Sequence, residues 1–426
     1  MSLIYSDLHI HSSFSHAASK EVNINNLEVY AKLKGVNLLG TGDFTHPKWL
    51  IELKKNLSEV NGEGIFQTKK SELSFLLSTE VCNIYEFDNR VRRVHNLILA
   101  RNFEIVDQIN EQLKKFGDLE ADGRPVFNGV SCTELVNSLM SISKDILIIP
   151  AHYFTPWFGV LGSKSGFNSV EECFQEESGH IYALETGLSS DPLMAFRISK
   201  LDKYTLVSFS DSHTYIPLRL GREFTAFKLN KLSFKEIYEA IKNKDKSKLV
   251  MTGEFFPEVG KYHFSGHRKC NVNLHPKDAM KFNNICPNCK RKLTIGVLQR
   301  VEELADRPEG FMPNDYIPFK HLVPLMEIIA EIYNVNAYSQ TVWSEYHNLI
   351  EKFGNELNIL LNVPKEELIK VANEKLVEAI IKVREGKIKY IGGYDGVYGR
   401  IIFFNNEEKR EKKLVQIQKN LEDFLK

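Results

Sequence analysis

The sequence predicts an α/β fold that opens with a distorted seven-stranded (β/α) barrel, followed by a small cysteine-bearing module and a mainly helical C-terminal region. Three observations carry this. Short, β-branched apolar runs alternate with amphipathic stretches over the first 213 residues. Most of those runs end in an ionisable side chain, which cannot serve core packing but is where a parallel barrel places its chemistry. The three late cysteines and His267 fall into two spaced pairs.

The predicted strands are LIYSDLHIH (3–11), LLGTGD (38–43), FLLSTE (75–80), VHNLILA (94–100), ILIIPAH (146–152), IYALETG (181–187) and TLVSFSDSH (205–213). At or just past their C-terminal ends stand His9 and His11, Asp43, Glu80, His152, Glu185, and Asp211 with His213. The fourth run differs, with His95 near its start. The expected barrel covers 1–225, the basic module 255–320 and the helical region 321–426. Within the last, helices are expected from about Pro324 to Phe353 and from Pro364 to about Gly386, the prolines standing in their first turns. KYIGGYDGVYGRIIFF (389–404) reads as a hairpin or tight loop.

Composition sets outer bounds. Lys+Arg and Asp+Glu are both 55 in 426 residues, so net charge by itself points to no partner. No apolar run reaches the roughly 18 residues of a membrane span, and MSLIYSDLHIHSS lacks a secretory apolar core. Cys82, Cys132 and Cys173 are scattered while Cys270, Cys286 and Cys289 cluster, which suits metal binding rather than a disulfide framework. A cytoplasmic protein with no membrane partner is expected.

His-x-His on a strand puts both imidazoles on one face, and Asp211-x-His213 does the same. With Asp43, His46, Glu80, His95 and His152 between them, the set is too nitrogen-rich for calcium and suits zinc, manganese or iron. A carboxylate such as Glu80 can bridge two ions, and such a pair favours in-line displacement at phosphorus.

His267-x-x-Cys270, fifteen intervening residues and Cys286-x-x-Cys289 have the spacing of one closed, structural zinc site. His263 or His275 could replace His267. Between 261 and 300 nine Lys/Arg face one Asp, and Lys269, Lys290, Arg291 and Lys292 flank the ligands, a surface suited to phosphate backbones.

SDLHIHS, TGDFTHP, STEV, VHNL, IPAH and SFSDSH resemble the ordered motifs of the PHP superfamily, named for polymerase and histidinol phosphatase. The resemblance implies a seven-stranded PHP barrel binding two or three divalent metals (zinc, manganese or magnesium) for phosphoester hydrolysis, with Asp211 and Glu80 central to catalysis. It implies His9, His11, Glu80 and Asp211 around one ion, Glu80, His95 and His152 around a second, and Asp43 or His46 with His213 around a third. The wider family has His directly after the motif-two Asp. Here Phe44 takes that place and His46 follows, and His16 could substitute. Glu185 could be a ligand or could orient one.

The order of parts, with HRKC…CPNCKRKLTIGVLQRVEELADRPEG and later GGYDGVYGRI, resembles endonuclease Q of archaea and some bacteria along essentially the whole chain. That resemblance implies nicking of DNA on the 5′ side of deaminated bases (hypoxanthine, uracil, xanthine) and abasic sites, leaving 3′-hydroxyl and 5′-phosphate ends. Two segments are candidates for holding the lesion: 151–167, with Tyr153, Phe154, Trp157 and Phe158, and the 393–400 loop, with Tyr394, Asp395, Gly396, Tyr398 and Arg400. Backbone N–H groups of the glycine-rich loop are expected to read the altered base edge. Gln418, Leu421, Phe424 and Leu425 match the pattern of a sliding-clamp ligand, with residues 418–425 as the contact. The rival readings are a small-molecule phosphatase of the histidinol-phosphate kind and a non-enzymatic DNA-damage-binding protein.

Overall fold

Runs such as LLG and TLV have no polar face to leave in water, so they form strands covered on both sides. Each of the seven predicted segments contains a strand in the computed structural model, which describes residues 2–404, several of them shorter than expected: β1 (Ser2–Asp7), β2 (Leu38–Gly40), β3 (Ser74–Phe87), β4 (Arg90–Ala100), β5 (Leu147–Pro150), β6 (Ala183–Glu185) and β7 (Thr205–Val207). β1, β2 and β3 are parallel neighbours, as are β6 and β7. Single parallel bridges, Ile148↔Ile181 and Ile10↔Ser212, link β5 towards β6 and the end of β7 back to the end of β1.

β4 departs from the uniformly parallel expectation. It pairs antiparallel with both β3 and β5. Asp88 and Asn89, at φ 52° and 55°, make the two-residue turn that joins it to β3, the left-handed pair a tight hairpin requires. This reversal explains His95. His95, in the middle of β4, lies beside Cys82, two residues past Glu80, at the level where the parallel strands finish.

The predicted boundary at 225 is also corrected, because the sheet does not stop there. β8 (Phe224–Leu229) pairs antiparallel with β1, β9 (Leu249–Phe255) with β8, and β10 (Phe319–Leu322) lies parallel to β9. The open edge of β1 needed hydrogen-bond partners, and local apolar periodicity does not report which strand supplies them. The cysteine-bearing segment is thus an excursion between β9 and β10.

The first predicted C-terminal helix is two helices, Leu325–Tyr333 and Gln340–Phe353. Asn334 at φ 55° closes one, and the Ser339 side chain accepts the Val342 N–H to open the next. The second is likewise Lys365–Ile369 and Glu374–Arg384, with Glu356–Leu361 before them. Pro324 and Pro364 are N-caps, one place before the expected first turn. Lys389–Ile391 and Arg400–Ile402 form an antiparallel hairpin. Residues 418–425, with their clamp-type pattern, lie outside the described residues. No helix among the described residues is long and apolar enough to cross a membrane.

A buried ion pair ties the helical region to the sheet's first helix (Ile24–Lys34). Lys34 Nζ donates to Glu356 Oε1 at 2.7 Å and to the Pro217 carbonyl at 2.8 Å. Glu356 also accepts the Leu325 N–H and the Tyr346 hydroxyl, each at 3.0 Å. Removing one partner strands the other charge in the interior. Glu356→Ala should cost about 3–5 kcal/mol in denaturant unfolding, and Lys34→Met/Glu356→Leu clearly less.

Candidate active site

Two ligand groups come together where the parallel strands finish, His9, His11, Glu80 and Asp211, and Glu80, His95 and His152; Glu80 lies inside the long β3, not at its end as expected, and His95 inside β4, and within each group the ligand atoms lie within 4.8 Å of one another. Glu80 belongs to both. Its carboxylate, 1% exposed, lies 2.8 Å from His95 Nδ1, 3.2 Å from His152 Nε2, 3.4 Å from His11 Nε2 and 3.6 Å from His9 Nε2. Asp211 Oδ1 approaches His11 Nε2 at 3.1 Å and His9 Nε2 at 3.6 Å.

Other carboxylates fix the imidazoles. Glu185 lies 2.8 and 3.0 Å from His9 Nδ1 and accepts the His152 backbone N–H at 2.8 Å. Asp43 lies 3.0 Å from His11 Nδ1. With Nδ1 held outward, Nε2 of both rings faces the centre, the carboxylate–imidazole arrangement of metal ligands. His9 Nε2 is buried without a hydrogen-bond partner, as are His95 Nε2 and His152 Nδ1. Burial opposes charge on His9 and His11, yet Glu185 and Asp43, with Glu80 and Asp211, hold both well above the usual histidine range. His95 is pushed by burial to about 4, which leaves it neutral and able to ligate. Buried imidazole nitrogens without hydrogen-bond partners, gathered around carboxylates that draw positive charge towards them, fit a pair of divalent cations.

The backbone is bent to serve this. Asp43, His152 and Asp211 have φ of 46°, 33° and 48°, left-handed values that non-glycine residues rarely adopt. Each stands just past a strand. Gly187 makes room for the turn at His152, since a Cβ there would meet the His152 Cβ at 2.6 Å.

The third group implied by resemblance does not assemble among the described residues. Both Asp43 oxygens are taken, by His11 Nδ1, the Ser12 N–H and hydroxyl at 2.6 Å each, and the Ser15 hydroxyl at 2.8 Å. Phe44 is buried, His46 stacks on Phe14 at 4.3 Å, and His213 packs on the His11 ring at 4.3 Å. His16 is exposed and joins neither group. Sequence patterning missed Arg124, which donates to Glu80 Oε2 at 3.2 Å. It sits in a turn-rich loop, where no spacing announces a partner.

His267, Cys270, Cys286 and Cys289 form a third group of matching closeness, built on the antiparallel pair Ser265–His267 and Val272–Leu274 and a tight turn at 286–290. His263 is buried elsewhere and His275 caps a helix, so the alternatives to His267 stay out of this group. Only a small core, Val272, Ala279, Cys286 and Leu293, supports the module, which fits a structural ion.

The lesion-contact residues divide. Tyr153 and Phe154 are fully buried, a correction, because the 152–167 segment folds back on itself through Leu161 N–H to the Tyr153 carbonyl. Trp157 is half-buried, 5.3 Å from Tyr262 on the cysteine-bearing module, and Phe158 stacks on His95 at 4.4 Å. Tyr398 is exposed, with Lys261 over its ring, Tyr394 is half-buried, and Arg400 begins the second hairpin arm. Asp395 accepts the Arg268 N–H at 2.7 Å. The N–H groups of Gly393, Tyr394, Gly396, Val397 and Gly399 are spent on protein carbonyls, Gly396 on that of Lys261. The expectation that they read a base is therefore corrected: Tyr394 and Val397 close the hairpin turn on each other, and the three glycines dock the hairpin on the module.

Residues 324–387 match the family described as the MJ0043 C-terminal domain. The chain is 36% identical over 258 residues to MJ0043, an uncharacterized protein of Methanocaldococcus jannaschii, an alignment covering 59% of this chain and 31% of that protein. It is similar to the lesion-specific endonuclease PfuEndoQ of Pyrococcus furiosus, with 33% identity, TM-score 0.84 and coverage of 94% and 95% of the two chains. It is similar also to endonuclease Q in complex with a 27-mer duplex bearing an abasic lesion at the active site, with 32% identity, TM-score 0.84 and coverage of 95% and 97%. Fold and site define a metal-dependent hydrolase of the endonuclease class. The chain belongs to the endonuclease Q family.

Cys286→Ser should remove one zinc per chain, read by elemental analysis, and lower the stability of the 255–320 segment while any metal bound by the two groups that share Glu80 is retained. Unchanged zinc content in that variant would reject the assignment.

Proposed function

We propose that this chain is a DNA repair endonuclease that hydrolyses the phosphodiester 5′ to a deaminated base (hypoxanthine, uracil or xanthine) or an abasic site, leaving 3′-hydroxyl and 5′-phosphate ends. The observation that carries this is the sharing of Glu80 by two ligand groups in a chain alike, nearly end to end, to a lesion-specific endonuclease. The alternation of strands and the two closing bridges support reading β1–β7 as the distorted PHP barrel.

On this reading His9, His11, Glu80 and Asp211 hold one divalent ion and Glu80, His95 and His152 a second. Zinc, manganese and magnesium all suit such a site. Bound there, the ions would supply Lewis-acid charge to the phosphoryl group and lower the pKa of an attacking water. Glu185 and Asp43 keep the His9 and His11 rings in the tautomer that turns Nε2 inward. Arg124 offers a further cation at Glu80. Asp43, tied to serines, acts through His11.

The DNA path is read from the basic module, where Lys269, Lys290, Arg291 and Lys292 flank the cysteines, through Tyr262 and Trp157 to the strand ends. Charge of this kind makes affinity fall steeply with salt. Selectivity then rests on a base turned out of the duplex, with the half-buried Trp157 and the exposed Tyr398 as stacking surfaces. The cysteine set, three in the core and three on the module, supports a reducing, cytoplasmic setting.

Asp211→Asn preserves shape and removes a charged ligand. Cleavage should fall by roughly a hundredfold or more while DNA affinity stays within about twofold; retained cleavage would move the active site elsewhere.

The decisive assay presents purified protein and a divalent metal with duplexes carrying hypoxanthine, uracil, an abasic site or no lesion. End-labelled products should show one nick 5′ to each lesion. Equal cutting of the undamaged duplex would overturn the repair reading, and activity confined to phosphomonoesters would favour the phosphatase.

A further inference from the structure

Beside the metal-ligand cluster, on the side of Asp211 and His213, opens a cavity of about 400 Å³. Its walls include Arg219 and Arg222, which follow β7, and Tyr338, which lies between two helices of the C-terminal region.

Arg222 is 8% exposed, and its Nε has no hydrogen-bond partner. Its one hydrogen bond is a long one, Nη2 to the Ser210 carbonyl at 3.4 Å. Arg219 lies close enough to repel it. Among the described residues neither guanidinium forms an ion pair within 4.0 Å; Glu223, Glu327 and Asp211 lie farther off around Arg222, and Glu327 is near both arginines, its carboxyl raised by burial in spite of them. Two like charges, one of them buried and short of acceptors, are costly unless an anion completes the set. Guanidinium forks match phosphate oxygens in geometry as well as charge. Tyr338, 51% exposed on the same wall, offers a flat face for a base.

We infer that this groove is a nucleotide subsite in which Arg219 and Arg222 hold the backbone phosphate next to the one being cut, with the attached base against Tyr338. The inference deepens the endonuclease reading and rests on it for the word "cut". The occupant is a phosphate within a nucleic-acid strand, because the groove runs from a wall of two guanidinium groups to a stacking face and adjoins Asp211 of the first ligand group. It also gives the helical region a part in substrate holding, since Tyr338 comes from that region.

The test uses binding, so that it stands whether or not lesion cleavage is found. In the presence of manganese, titrate the full chain with thymidine 5′-monophosphate, deoxythymidine 3′,5′-bisphosphate and inorganic phosphate. The bisphosphate should bind about tenfold tighter than the monophosphate, the worth of one added charge-assisted contact. Arg219→Gln, at a partly exposed position where folding should survive, should erase that preference while leaving monophosphate affinity unchanged. Tyr338→Ala should weaken both nucleotides and leave inorganic phosphate unaffected. A bisphosphate preference that persists in Arg219→Gln, or one absent from the wild type, would overturn the subsite. Inorganic phosphate competing as well as the bisphosphate would also overturn it, in favour of a free-anion site. Failure of the endonuclease reading would show separately, as uncut lesion duplexes with the bisphosphate preference intact.

Discussion

One buried carboxylate organises this molecule. Glu80 is out of water and has around it four imidazoles, one from β4 and three from the loops after β1 and β5, together with an arginine from a distant loop. An isolated carboxylate in that position would be prohibitive, and only close partners of opposite or divalent charge make it tolerable. Those partners are scattered over more than 140 positions of chain, from His9 to His152. The strands must therefore be in register before the charge can be buried, and the burial in turn penalises any arrangement that separates them. The reversed β4 and the left-handed turns at Asp43, His152 and Asp211 are understood in the same way, as backbone bent to meet one oxygen pair.

Much of this was legible from the residues. Strand runs of apolar, β-branched side chains ending in His, Asp or Glu are conspicuous because ionisable groups have no place in a core without a task. The structure puts His9, His11, Glu80, His95, His152 and Asp211 into two groups that share a member, and gathers His267 with three cysteines. What could not be read depended on pairing over distance. Nothing local separates a parallel from an antiparallel neighbour, so the direction of β4 and the annexation of β8–β10 were hidden. Asp43 looks like a ligand in sequence, and only its ring of serine donors shows it occupied with His11. Tyr153 follows a ligand and was expected on the surface, whereas the chain turns inward there.

The same limit applied to the glycine-rich hairpin. Its composition promised free backbone donors, but those donors serve as the fastening between the hairpin and the cysteine-bearing module. Gly393, Gly396 and Gly399 bond to carbonyls of Glu258, Lys261 and Val259, so hairpin and module share one hydrogen-bonded seam. A substitution that loosens the module is felt at Tyr398, and the converse holds. The seam joins helical region and module here, Lys34–Glu356 joins helical region and sheet, and Arg300, bonded to the Leu161 and Phe167 carbonyls, joins module and sheet.

The left-handed turns at Asp43, His152 and Asp211 carry an evolutionary consequence. Each holds an L side chain in a conformation that costs about 1–2 kcal/mol and that glycine would adopt freely. At these three places the substitution that best suits the backbone is the one that deletes a functional group. Selection for robustness alone would drift towards glycine and lose the chemistry. Relatives that have shed the activity but kept the fold should be recognisable by glycine at those turns, while the apolar strands before them persist unchanged.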